Sequence, residues 1–174
     1  MSRAAALAGA LAALVALGLV TAAAAQSPAP PTDGWLPFEG TWSAVGTRQT
    51  LPTGGERPAA IVHVSGAIVL SSGDGLRRGF QGEAIYFNDG RGLAVGHCVW
   101  TDDHGDRIFS ELKGQPEQTG TRIAGTVTGG TGRYAGVSGE YAFSWQYVVE
   151  AEPGVFQGRT VTLKGRYRPA EVKR

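Results

Sequence analysis

The chain has 174 residues, of which 42% are hydrophobic and 18% are charged, and its formal net charge is +1 at pH 7. Arg3 is the only charged side chain before Asp33, so removal of the N-terminus would bring the net charge to zero. A balanced charge provides no basic surface for nucleic acid and no polybasic patch for lipid headgroups, and we expect neither partner. The single cysteine, Cys98, excludes an internal disulfide, so the core must stabilise the fold unaided.

The N-terminus has the features of a secretory signal peptide. Arg3 is followed by a run rich in Ala, Leu and Val over residues 4–20, and Ala23-Ala24-Ala25 is a small-x-small cleavage site. We therefore predict a signal peptide over residues 1–25, a secreted or periplasmic mature protein, and no stable membrane insertion after cleavage. An uncleaved anchor is the alternative, but the run is mostly alanine and short for a membrane span.

The segment after the predicted cleavage site is rich in proline. Residues 26–37 are therefore expected to form an extended tether, because proline disfavours both helices and central strands. The remaining residues, 38–170, have the size of one domain.

Short runs of Val, Ile, Thr and aromatic residues follow the tether and are separated by Gly, Asp, Pro and Ser. They predict eight strands, at about residues 41–50, 59–71, 79–88, 91–102, 106–113, 121–128, 140–150 and 158–168. Regular short strands in one domain indicate an antiparallel barrel or sandwich. Eight strands favour a closed, all-β antiparallel barrel, because closure removes the exposed sheet edges.

The turn between the third and fourth predicted strands contains Asp89-Gly90, a strong hairpin signal. If these two residues form the whole loop, Glu83 pairs with Gly96. This register would place Glu83 on one face with Gln81, Cys98 and Trp100.

Glu83 is the candidate catalytic residue on this register. A carboxylate among apolar neighbours would have a raised pKa and could act as a general acid or base. The alternative is a solvated glutamate on the outer face of the sheet. Glu111, on the fifth predicted strand, allows the same two interpretations.

The seventh predicted strand carries a row of aromatic residues on one face. Alternation along a strand places every second side chain on the same side. Such a row must be covered, and it could be barrel core, the lining of a ligand cavity, or an oligomer interface. The row consists of Tyr141, Phe143, Trp145 and Tyr147, followed by Val149.

The histidines and the cysteine form no recognisable catalytic or metal pattern. His97 and Cys98 are consecutive in a strand, so their side chains point to opposite faces and cannot act as a base and nucleophile pair. We expect Cys98 to be a small buried hydrophobic residue. The spacing of His63, His97 and His104 does not indicate a zinc site, and no metal is predicted.

An acidic cluster, residues 101–106, contains Asp102, Asp103 and Asp106 beside His104 and Gly105. It lacks the full calcium-loop spacing. Asp and Gly are also the residues that hairpin turns require, so we predict a structural turn in which Asp caps the backbone, with a weak cation site as the alternative.

Residues 129–139, Gly-Gly-Thr-Gly-Arg-Tyr-Ala-Gly-Val-Ser-Gly, contain the most informative pattern in the chain. We predict a tight corner at its start and expect Tyr134 to plug it, because glycine permits positive φ angles and close approach. The segment resembles the GGTG-x-[FY]-x-G-x-x-G signature of the dirigent and allene oxide cyclase-like β-barrels. Its glycines are Gly129, Gly130, Gly132, Gly136 and Gly139.

A second resemblance lies at the start of the first predicted strand, where Gly40-Thr41-Trp42 is similar to the Gly-x-Trp of lipocalins and avidins. We expect Trp42 to close the barrel floor by packing its ring and hydrogen-bonding its indole N–H, with contact to a ligand as the alternative. The glycine corner favours the dirigent and cyclase side.

The resemblance implies hydrophobic ligands that are handled largely by shape, although neither family's catalytic residues can be placed on this chain. We expect a non-catalytic secreted barrel that needs no cofactor and binds a small hydrophobic ligand or a protein partner, with a homo-oligomer as one form of the latter. The alternative is a cofactor-free isomerase or cyclase-like enzyme that acts on a hydrophobic substrate inside the barrel.

Overall fold

A computed structural model describes residues 34–117 and 120–170, and it confirms the predicted eight-stranded antiparallel barrel. The predicted signal peptide, and all but the last residues of the predicted tether, lie outside the described residues. The strands are β1 (Leu36–Leu51), β2 (Ala59–Gly73), β3 (Gly79–Asn88), β4 (Ala94–Thr101), β5 (Arg107–Glu117), β6 (Gly120–Gly130), β7 (Ser138–Glu152) and β8 (Val155–Arg168).

Each strand pairs with the next in the chain, and β1 pairs with β8 to close the sheet. All eight predicted strands are present, and the largest difference at a strand start is in β1, which begins at Leu36. Pro37 and Gly40 are typical of loops, which hid this part of the strand from the sequence pattern. Here Pro37 pairs with Arg166 in the β1–β8 ladder, so the barrel includes residues assigned to the tether.

The predicted register of the β3–β4 hairpin is wrong. Its loop covers residues 89–93, because the Asp89 carboxylate accepts hydrogen bonds from the backbone N–H groups of Arg91, Gly92 and Leu93, at 2.7, 3.0 and 3.0 Å. These bonds, led by that from Arg91, lower the pKa of Asp89. The longer loop shifts the pairing by three residues, so Glu83 lies opposite Val99 rather than Gly96, and Cys98 and Trp100 lie on the opposite face of the sheet.

Aromatic rings fill the interior and lie against inward-facing glycines. The ring of Tyr141 covers Gly125, its direct partner across the β6–β7 ladder, and the indole of Trp145 covers Gly158. A Cβ atom at either glycine would overlap the ring. The interior therefore holds side chains that are larger than an eight-stranded barrel would otherwise accept.

Aromatic contacts occur at successive levels along the barrel axis. We call the end with the β4–β5 and β6–β7 turns the lower end and the opposite end the upper end. In the lower level Phe38 meets Trp100 edge to face, with ring centroids 5.9 Å apart. In the upper level Trp42 meets Phe143 at 6.1 Å and Trp145 at 5.7 Å, both edge to face. Such pairs each contribute about 0.5–1.5 kcal/mol beyond their burial.

The glycine-rich segment forms the turn at the lower end of the barrel, but Gly129 and Gly130, predicted to start the corner, still pair with Phe109 and Ile108 in the β5–β6 ladder. After β6, a 3-10 turn over Gly132–Tyr134 carries Tyr134 into the barrel, where it is 3% exposed. Its hydroxyl donates a hydrogen bond to Asp102 at 3.1 Å. The backbone has positive φ at Gly132 (52°) and Gly136 (74°), whereas Gly139 lies in the ladder of β7.

We expect Gly132→Val to lower the free energy of unfolding by roughly 1–3 kcal/mol, because valine is strained at positive φ. A Cβ atom there would also overlap the Asp106 carboxylate. Urea unfolding of the purified variant measures the loss. The matched control is Gly79→Val, at an exposed strand position with nothing within 4 Å of the added Cβ atom. An equal effect of the two substitutions would contradict a structural role for the corner.

Candidate functional site

The upper end of the barrel holds a cavity of about 420 Å³. It lies where β1, β3, β5 and β7 end and where the next strands begin, opposite the end that Tyr134 closes. Most of its lining is apolar or aromatic. The lining residues are Trp42, Arg48, Thr50, Arg57, Pro58, Ala60, Val62, Val64, Ala84, Tyr86, Asn88, Leu112, Thr121, Ile123, Phe143, Trp145 and Tyr147.

The predicted aromatic row of β7 is divided between core and cavity. Phe143 and Trp145 are buried and line the cavity, and Tyr147 lies at its mouth, 47% exposed. Tyr141 lies deeper, fully inside the core, where its hydroxyl donates a hydrogen bond to Ser110 at 3.0 Å. Val149 follows a shift in the β7–β8 register and is exposed.

Most of the lining lies outside the predicted aromatic row, and Trp42, Arg48 and Tyr86 are its larger members. The expected packing of Trp42 is confirmed, since it is 2% exposed, but its indole N–H has no hydrogen-bond partner among the described residues. Alternation along β1 carries the inner face from Trp42 through Ala44 and Gly46 to Arg48. That alternation is the signal that could have identified Arg48.

The mouth of the cavity carries a fixed arginine. The Arg48 guanidinium donates hydrogen bonds to both carboxylate oxygens of Glu150, at 3.1 and 3.3 Å, and lies 5.6 Å from the centre of the Tyr147 ring. Glu150 also accepts a hydrogen bond from the backbone N–H of Gly154, at 3.0 Å. The β7–β8 turn therefore positions Glu150, and Glu150 positions the guanidinium.

Tyr86 adds a second donor to the cavity wall. Its hydroxyl is buried against Gly114 and has no hydrogen-bond partner in the part of the chain that the structure describes. Burial, followed by the nearby Tyr147 hydroxyl, raises the pKa of Tyr86 to about 12. The phenol is consequently protonated at neutral pH and can donate a hydrogen bond but cannot act as a base.

Glu83 does not lie in the cavity. Its side chain is on the outer face of β3, 62% exposed, and its carboxylate is 2.9 Å from Nε2 of His63. Glu83 was predicted to share a face with Cys98 and Trp100. This prediction was wrong because the observed β3–β4 register differs from the predicted one. Glu111 is likewise exposed on the outer face of β5.

Glu83 and Glu111 instead border an outer groove of about 550 Å³ across β3, β4 and β5. Its apolar side chains include Ile85, Phe87 and Val95, which are 59%, 40% and 37% exposed. This groove is the main apolar surface outside the barrel on these strands.

Cys98 and His97 have the opposite orientations that strand alternation predicts. Cys98 points inward and is 1% exposed, and burial raises the pKa of its thiol to about 12. The thiol is therefore protonated and behaves as the expected small hydrophobic residue. His97 is exposed on the outer face.

The acidic cluster forms the β4–β5 turn. One carboxylate oxygen of Asp102 accepts hydrogen bonds from the backbone N–H groups of His104 and Asp106, at 2.9 and 3.0 Å, and the other accepts from Tyr134. Burial acts to raise the pKa of Asp102, but these donors outweigh burial and lower it. Asp102 thus caps the turn as predicted. Asp102, Asp103 and His104 have potential ligand atoms within 4.8 Å of one another, but the hydrogen bonds of Asp102 are those of a turn.

A scan against protein-family models finds no match to this chain, and a search of curated proteins finds none either. The resemblance of residues 129–139 to dirigent and allene oxide cyclase-like barrels is therefore supported by the sequence pattern alone. Among residues 34–117 and 120–170, no helix is long and apolar enough to cross a membrane.

Proposed function

We propose that this protein is an exported, non-catalytic barrel that binds one small hydrophobic ligand in its upper end. The observation that carries the proposal is the apolar cavity of about 420 Å³ above Trp42, Phe143 and Trp145. Pockets for small molecules commonly have volumes of about 300–1,000 Å³ and apolar, aromatic linings with a few polar groups. Eight-stranded barrels are wide enough either to be filled by side chains or to hold one small ligand.

The chemistry of the lining favours binding over catalysis. The cavity lining contains no Asp, Glu, His or Cys among the described residues, and these are the usual general acids, bases and nucleophiles. The cyclase-like alternative needs a carboxylate inside the barrel, and Glu83 lies outside it. The raised pKa of Tyr86 also disfavours that residue as a base. The resemblance to dirigent and cyclase-like barrels supports a hydrophobic ligand and says nothing about turnover.

The other candidate is a protein partner, or a second copy of the chain, that binds the outer surface of the barrel. The outer groove with Ile85, Phe87 and Val95 is the observation that favours it. Burial of these side chains would remove exposed apolar surface from water. The groove and the cavity lie on opposite faces of the sheet, so both forms of binding are compatible.

Export is part of the proposal and is supported by the sequence of residues 1–25. Mature protein should begin at Gln26 or within a few residues of it. N-terminal sequencing of protein from the cell-envelope fraction tests this. Recovery of a chain that still begins at Met1 or Ser2 would contradict it.

The ligand proposal predicts that N-phenyl-1-naphthylamine, a neutral apolar fluorophore, binds the folded protein and quenches tryptophan fluorescence. We expect micromolar affinity, or about −8 kcal/mol. Trp145→Phe should remove part of the quench. Trp35→Phe is the matched control, because Trp35 lies against Arg166 and Arg168, with ring distances of 4.8 Å, outside the barrel.

A cavity-filling variant tests where the fluorophore binds. Val62 is half-buried in the cavity wall, so Val62→Trp should abolish binding while thermal melting shows that the fold is retained. Full affinity in a folded Val62→Trp variant would place the fluorophore elsewhere. Absence of binding to the wild-type protein would contradict the proposed function.

A further inference from the structure

We infer that the ligand is an amphiphile with a single negatively charged head, a carboxylate or a similar oxyanion, which Arg48 binds at the mouth of the cavity. This inference rests on the proposed function, because it specifies the chemistry of a ligand in the same cavity. The position of Arg48, its unused donors and the charged residues of the cavity lining support it.

Arg48 occupies an inward position at the upper end of β1. Inner positions of this strand are otherwise small or apolar, as at Ala44 and Gly46, and Arg48 pairs with Val62 in the β1–β2 ladder. Its side chain is 31% exposed, so the guanidinium lies at the boundary between the apolar interior and water. An amphiphile whose apolar part fills the cavity would place its head at this level.

The guanidinium retains donors for a ligand. Both hydrogen bonds to Glu150 come from Nη2, which leaves Nε and Nη1 as donors without a hydrogen bond to any described residue. Arginine presents its N–H groups in a planar fork that matches a carboxylate or phosphate oxygen pair. The Tyr147 ring and Glu150 hold that fork in place, so little side-chain entropy remains to be lost on binding.

The charged residues of the cavity lining favour an anionic head over a cationic one. Arg48 and Arg57 are the charged residues of the described lining, and both are positive. The nearest carboxylate of the mouth, Glu150, is already paired with Arg48 and with the Gly154 N–H. A cationic head would meet only positive side chains in the described lining, whereas an anion could accept hydrogen bonds from the Nε and Nη1 groups of Arg48.

The test compares three probes with the same ten-carbon chain and different heads: decanoate, 1-decanol and decylamine. Each displaces N-phenyl-1-naphthylamine from the wild-type protein at pH 7.5 and low ionic strength. We expect decanoate to bind about tenfold more tightly than 1-decanol, as a charge-assisted hydrogen bond at a partly buried site provides. Decylamine should bind more weakly than 1-decanol.

Arg48→Gln should reduce the preference for decanoate over 1-decanol to less than about twofold. Arg48→Lys keeps the charge without the fork and should retain part of the preference. The matched control is Arg159→Gln, because Arg159 is exposed on the outer face of β8 and should affect neither probe. Decyl sulfate then separates the two head chemistries, since binding equal to that of decanoate shows that any oxyanion is accepted.

The outcomes separate this inference from the proposed function. Equal binding of decanoate and 1-decanol to the wild type, or a preference that survives Arg48→Gln, would overturn the anionic head but leave the hydrophobic cavity site intact. Failure of all three probes and of the fluorophore to bind would overturn the proposed function and this inference together.

Discussion

The contact between aromatic rings and inward-facing glycines determines the interior of this barrel. An eight-stranded barrel has little internal width, and each Cβ atom on the inner face reduces it further. Where glycine removes that atom, as at Gly125 and Gly158, a Tyr or Trp ring occupies the space directly above the backbone. Glycine loses more conformational entropy on folding than other residues do, and the burial of a large ring offsets this cost.

The distribution of these rings decides where the barrel is solid and where it is open. Tyr134, Phe38 and Trp100 fill the lower half, and Trp42 with Trp145 forms the level above. Beyond that level the inner face continues with small residues on β1 and with Arg48, which reaches the boundary with water. The small inner residues of β1 above Trp42 thus leave room for the cavity, although Phe156 and Tyr147 still contribute rings at this level.

Much of the architecture could be predicted from the sequence, because strand alternation and turn residues are local signals. The eight strands follow from short Val, Ile and Thr runs, and the buried plug of Tyr134 follows from the glycines around it. The aromatic row of β7 was also found, although its division into core and cavity depends on partners in other strands.

The neighbours of Glu83 on β4 could not be predicted, because they depend on a loop that the Asp89 side chain lengthens. The Asp89 carboxylate accepts hydrogen bonds from three backbone N–H groups, and the β3–β4 pairing moves by three residues, so that Glu83 shares its face with Val99 and not with Cys98 and Trp100. Arg48 was missed for a different reason. A charged residue near a strand end is usually solvated, and its inward position becomes clear only once Trp42 fixes the inner face of β1.

A double-mutant cycle between Gly125 and Tyr141 tests the interdependence of rings and glycines most directly. Unfolding free energies are measured for Gly125→Ala, Tyr141→Leu and the double variant. If the ring needs the glycine, Gly125→Ala should lower the free energy of unfolding by about 1–3 kcal/mol in the protein that keeps Tyr141, and by much less in the Tyr141→Leu variant. The difference between the two losses is a coupling energy of similar size. Additive effects of the two substitutions would contradict the account.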